Sequence, residues 1–69
     1  MKIIYSNHAK KRMKQRGITE IEVEHILQYP DYIKKSFEEK REAVGELKNK
    51  SIKVVFIQTE NYINVITFI

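Results

Sequence analysis

The hydrophobic pattern of this chain changes period once, at Pro30, and that change limits the folds open to it. Before Pro30, apolar residues recur at helical spacing; after it, short β-branched and aromatic runs are separated by polar turns. Ser6 or Asn7 supplies an N-cap, and a helix then runs to about Gln15 or Arg16. Gly17 can take the left-handed conformation that ends it. Only Ala9 and Met13 form its apolar face, with Tyr5 or Ile18 extending the contact, so it needs the rest of the domain for stability. Thr19-Glu20-Ile21-Glu22 is a capping-box pattern, and Ile18 can staple against Val23. Val23, Ile26 and Leu27 give the second helix its apolar face. Pro30 forces Tyr29 out of helical geometry, which stops the helix near Gln28.

Beyond Pro30, Tyr32–Lys35 and Lys40–Leu47 are the weaker strand segments. Ile52–Ile57 and Tyr62–Ile69 are strong ones, expected to form a hairpin through Glu60-Asn61, and Lys48-Asn49-Lys50 reads as a turn. The uninterrupted Val54–Ile57 run predicts an interior strand with both faces at least partly covered. Residues 2–5 form either a short edge strand or an extended lead-in. The expectation is one α+β domain over residues 1–69, with two N-terminal helices packed on a three- to four-stranded antiparallel sheet. With 42% apolar and 32% charged residues, the chain suits a folded domain with a thin core. A thin core leaves room for a protein partner or a homodimer to add stability.

Several function classes fall away. There is no cysteine, hence no disulfide scaffold and no thiolate metal site. His8 and His25 are the only histidines, and neither has a metal-ligand spacing. No Walker loop, dinucleotide fingerprint or nucleophile elbow occurs, so neither a metal nor a cofactor is expected. No signal peptide or membrane-spanning stretch is read, and the expected location is cytoplasmic.

Charge distribution points to a partner. Lys2, Lys10, Lys11, Arg12, Lys14 and Arg16 give residues 1–18 a charge of +6, with no acid. Residues 19–69 carry seven basic and nine acidic side chains, a charge of −2. An RNA or DNA backbone would meet the first end of the chain. Within it, His8, Arg12 and Arg16 stand at i, i+4 and i+8 of one helix, bordering Ala9 and Met13. Arginines there hold phosphate oxygens through paired donors, and a histidine beside them moves a proton. RNA cleavage then needs no metal if the 2′-hydroxyl is activated and the phosphorane charge neutralised. Lys10, Lys11 and Lys14 steer the backbone, Lys34, Lys40, Arg41 and Lys53 extend the basic patch, and Tyr32 and Tyr62 offer faces for base stacking, with edge protection and ordinary packing as the equal alternative for these strand residues. The competing reading has His8 assisting the cap and the arginines pairing with Glu38, Glu39 or Glu42. His25, among glutamates, reads as a surface or structural residue.

Ser6-Asn7-His8-Ala9, Arg12-Met13 and Arg16-Gly17-Ile18 together resemble the opening of the family called domain of unknown function 4258, whose pattern is approximately S-x-H-A-x-x-R-M-x-x-R-G-I. Pro30, Gly45, the Ile52–Ile57 strand and Val65-Ile66-Thr67 match its later landmarks, so the resemblance spans nearly the whole chain. The order of elements is also similar to the BrnT branch of the RelE/ParE toxin superfamily, which includes small ribosome-dependent or free ribonucleases. That resemblance implies a toxin-like endoribonuclease, with His8 as acid or base and Arg12 and Arg16 on the scissile phosphate. The ribosome and an antitoxin-like protein are its implied partners. The alternative is a non-enzymatic module that uses the same helix to hold nucleic acid, a ribosomal surface or an acidic protein. A third reading, an interaction protein, requires Ile66, Phe68 and Ile69 to form an exposed apolar edge.

Overall fold

A computed structural model describes residues 2–35 and 38–69. Strand β1 (Lys2–Tyr5) leads into helices α1 (Asn7–Arg16) and α2 (Glu20–Gln28), which are followed by strands β2 (Tyr32–Lys35), β3 (Arg41–Leu47), β4 (Lys50–Gln58) and β5 (Tyr62–Phe68). The α+β class and the helical pair on an antiparallel sheet agree with the sequence reading.

The helix boundaries follow from local chemistry. The Ser6 hydroxyl accepts from the Ala9 N–H at 3.0 Å and caps α1. Gly17, at φ 67°, closes the helix with its own N–H on the Met13 carbonyl. At α2 the capping box is complete: Thr19 Oγ1 accepts from the Glu22 N–H at 3.2 Å, and Glu22 Oε1 accepts from the Thr19 N–H at 2.9 Å. That backbone donor holds the Glu22 carboxyl below its usual range.

Among the described residues the sheet has five strands, in the order β1-β5-β4-β3-β2, which corrects the expected three or four. The additional strand is β1, which pairs parallel to β5 from Lys2↔Tyr62 to Tyr5↔Val65; the remaining pairs are antiparallel. Four residues carry too little pattern to announce a parallel partner about sixty positions away. The Lys48-Asn49 turn holds both residues at positive φ, 50° and 66°, as a tight hairpin between β3 and β4 demands.

One sheet face carries both helices. Ala9 and Met13 of α1 and Val23 and Ile26 of α2 pack with Ala43, Ile52, Val54, Phe56, Val65 and Phe68. β4 is the central strand, as the Val54–Ile57 run predicts, and Val54, Val55 and Phe56 are all buried. Val55 lies on the face away from the helices, where its cross-strand neighbours are Glu42 and Thr67. β5 is interior as well, between β1 and β4, with Phe68 only 2% exposed. The apolar edge required of Ile66, Phe68 and Ile69 therefore does not form: Ile69 alone of the three is exposed.

A β-bulge fixes where α1 sits. The β4–β5 register passes from Val55↔Thr67 to Phe56↔Val65, leaving Ile66 as the extra residue. Its carbonyl accepts the Ser6 hydroxyl at 2.7 Å, and the Val65 carbonyl accepts the Ser6 N–H at 3.0 Å. Ser6 thus caps α1 and fastens it to β5 together. Ser6→Ala should cost about 1–2 kcal/mol in urea denaturation, from the lost cap and the orphaned carbonyl. A loss of only a few tenths would show that the bulge does not hold the helix.

Tyr5, on β1, has an enclosed hydroxyl with no partner among the described residues. Burial pushes its phenol up to about 12, with Glu20 and Glu24 adding to the shift. Because the folded value is raised, this contribution is complete below pH 10 and fades as pH rises towards 12. Tyr5→Phe should therefore lose less stability than the parent chain across that window in thermal melts.

Candidate nucleic-acid interface

The burial of Ala9 and Met13 sets the rotation of α1, and that rotation sorts its basic residues. His8, Lys11, Arg12 and Gln15, at i, i+3, i+4 and i+7, line one open depression of about 200 Å³. Arg12 is half-buried and the other three are exposed. Lys10 and Lys14 are exposed on the opposite flank of α1.

Arg16 departs from the expected trio. It lines a separate cleft of about 100 Å³ with Gly17, Glu22, Lys48 and Lys50, where Lys48 Nζ stands 3.8 Å from Glu22 Oε2. The last turn of α1 therefore points into mixed charge, whereas the first two turns present cations alone. The structure brings His8 and Arg12 together and places Arg16 elsewhere.

The strand cations form no continuation of the α1 surface. Ile52, Val54 and Phe56 pack under the helices, so alternation directs Lys53 to the other sheet face. Ala43 packs under the helices and pairs with Ile33. Lys34, opposite Glu42, consequently shares the outer face with Lys53. Tyr32 lies on that face too, opposite Val44. Arg41 stands opposite Lys35 at the far end of the β2–β3 hairpin, in a cleft of about 440 Å³ also lined by Glu39, Lys40 and Gln58. Lys34 and Lys53 thus face away from the side of the sheet that carries α1.

Electrostatics favour an open anion surface on α1. Among the described residues the ion pairs are Lys40–Glu38 at 3.9 Å and Lys48–Glu22 at 3.8 Å. Neither Arg12 nor Arg16 pairs with Glu38, Glu39 or Glu42, and His8 takes no part in the cap, which belongs to Ser6. His25 is exposed and lies against Tyr29, with ring centroids 5.5 Å apart and the planes tilted by 48°. Among the described residues no group of three His, Cys, Asp or Glu is placed to hold a metal ion, and no helix is long and apolar enough to cross a membrane.

Gln15 is the member of the depression that the charge pattern alone passes over. Its signal is spacing: it stands three residues after Arg12 and seven after His8, and it carries both a donor and acceptors. Lys35 was equally hidden, because its place opposite Arg41 depends on the hairpin register.

The family model for the domain of unknown function DUF4258 matches residues 5–69. No curated protein and no solved structure matches the chain. The match begins one residue before the Ser6 cap, takes in both helices and runs to the end of the sheet, and the chain belongs to the DUF4258 family.

Proposed function

We propose that this protein binds the phosphate backbone of single-stranded RNA along the His8–Gln15 flank of α1. The observation that carries the reading is the convergence of His8, Lys11, Arg12 and Gln15 on one open depression with no carboxylate among its lining residues. Arg12 offers a planar fork of donors to phosphate oxygens, Lys11 a point charge, and Gln15 a neutral donor for a ribose or base edge. The charge of +6 over residues 1–18 steers a polyanion towards this end of the chain.

A second reading, a metal-independent endoribonuclease, draws on His8 sharing the depression with two cations. His8 would take the proton of the attacking 2′-hydroxyl, or return one to the leaving 5′-oxygen, while Arg12 and Lys11 neutralise the phosphorane. The similarity in element order to BrnT and RelE/ParE toxins supports the same substrate. The binding reading is preferred because it asks of the depression only donors and charge, which all four lining residues supply, whereas cleavage also asks for two proton transfers and neither Arg12 nor Gln15 can take part in one.

A titration of a fluorescent single-stranded RNA at several salt concentrations tests the proposal. Two to three phosphate contacts should give a log–log slope of roughly 1.4–2. Absence of binding at low salt would reject both readings. RNA that binds and stays intact supports the binding module; RNA cut by the parent chain and spared by His8→Ala supports the nuclease.

A further inference from the structure

Strand β2 is an open edge of the sheet, and all four of its residues are exposed. Two are large and apolar, Tyr32 at 55% and Ile33 at 51% exposed. The other two, Lys34 and Lys35, are the kind of residue that ordinarily keeps a second strand away. Their surroundings differ. Lys34 faces Glu42 across the hairpin, an opposite-charge pair. Lys35 faces Arg41, and Lys40 lines the same cleft, so this end of the edge collects three cations; Glu39 lines the cleft with them, and Glu38 approaches Lys40 at 3.9 Å. Like charges directly opposite each other destabilise a sheet, and an anion brought from outside would relieve them.

The segment Asp31-Tyr32-Ile33-Lys34-Lys35 carries that anion itself. Asp31 is exposed and stands just before β2, where its backbone N–H donates to the Val44 carbonyl at 2.7 Å, one position off the Tyr32↔Val44 register. Laid antiparallel to a second copy of itself about Ile33, the segment is self-complementary. Asp31 falls opposite Lys35 of the other copy, Tyr32 opposite Lys34, and Ile33 opposite Ile33; each unlike pair recurs by the two-fold axis. Neither lysine meets a lysine. Alternation within β2 puts the isoleucines and Lys35 on the helix side, and the tyrosine faces under the Lys34 ammonium groups on the other, while Asp31, just before the strand, stands next to Lys35 of the other copy.

We propose that the partner of the β2 edge is a second copy of this chain, joined antiparallel through residues 31–35 into a continuous ten-stranded sheet. The helices of both copies then lie on one side of it. Asp31 of each copy neutralises the Lys35–Arg41 end of the other. α1 is untouched, because it packs over β5 near the opposite edge, so the pairing stands or falls independently of RNA binding.

Charge exchange tests this directly. Sedimentation equilibrium of the full chain at about 100 μM should give twice the 8.3 kDa chain mass. Asp31→Lys and Lys35→Asp, each alone, set like charges opposite each other twice and should raise the dimer dissociation constant about tenfold or more. The double variant D31K/K35D keeps the net charge of the parent and restores both pairs, so its dissociation constant should return to within about threefold of the parent value. Each chain is checked for its fold by circular dichroism, and the Asp31 backbone bond is available to any of these residues. A parent chain of 8.3 kDa at that concentration overturns the proposal. So does a dimer indifferent to the single changes, or one that the double change fails to restore.

Discussion

Gly45→Val is expected to unfold the domain or bring it to the edge of unfolding. Gly45 is buried in β3, and its φ is not positive, so space rather than backbone freedom requires glycine there. A Cβ at this position would stand 3.1 Å from both Cγ1 and Cγ2 of Ile26 and 3.5 Å from its Cβ. Ile26 is 1% exposed and among the largest fully buried side chains of the core, so it has little freedom to withdraw. Alanine already demands a shift of α2 by a few tenths of an ångström, and should cost about 1–2 kcal/mol. Valine adds two methyl groups into occupied volume and should cost about 3 kcal/mol or more. A chain this short has roughly 3–10 kcal/mol in total, so the loss is comparable with the whole. Ile26→Ala, which empties the same space, should itself cost about 2–5 kcal/mol. The double variant G45V/I26A should lose clearly less than the two single losses together, because one change fills what the other vacates. Urea denaturation followed by circular dichroism measures all four chains. A Gly45→Val chain as stable as the parent would mean that α2 does not rest on β3 at this point.

Reversing charge in the α1 depression should produce the largest change in RNA affinity. Lys11 and Arg12 both line it, and neither is engaged by a carboxylate among the described residues. The variant K11E/R12E removes two attractive contacts and adds two repulsive ones, and should weaken binding at low salt about a hundredfold. K10E/K14E makes the same change in net charge on the other flank, and should weaken binding about tenfold or less through long-range attraction alone. The matched charge is what makes the pair informative. Equal losses would indicate that the chain attracts RNA as a diffuse cation, without a contact surface on α1. Arg12 is half-buried, so the thermal melt of K11E/R12E is compared with the parent before affinity is read.

The parts of the fold legible in the sequence are those fixed by neighbours along the chain. Ser6, Gly17, the Thr19–Glu22 box and Pro30 each act within a few residues, and both helix boundaries follow from them. The hidden parts are set by distant pairing. β1 takes its partner from the last strand, and the Ile66 bulge emerges only when β4 and β5 are laid side by side. The same division runs through the candidate site. Helical spacing alone puts His8 beside Arg12. It also suggests Arg16, but by the last turn the side chain has reached the β3–β4 hairpin and joins Lys48 and Glu22 instead. Lys34, Arg41 and Lys53 look like one basic group in the sequence because their faces depend on register; the register sends two of them to the far side of the sheet. Gly45 is conspicuous as a glycine in an apolar strand, yet its reason is a side chain from another element.

RNA should meet the protein on the His8–Gln15 flank of α1, and amide chemical-shift mapping locates that contact. An unlabelled single-stranded RNA is titrated into nitrogen-labelled protein at low salt, and the shifted amides are assigned. The predicted result is a contiguous set of shifts over residues 8–15, with β2 and the outward-facing positions Lys34 and Lys53 unaffected. Shifts centred on the outer sheet face around Lys34, Lys53 and Tyr32, with α1 unchanged, would contradict the account.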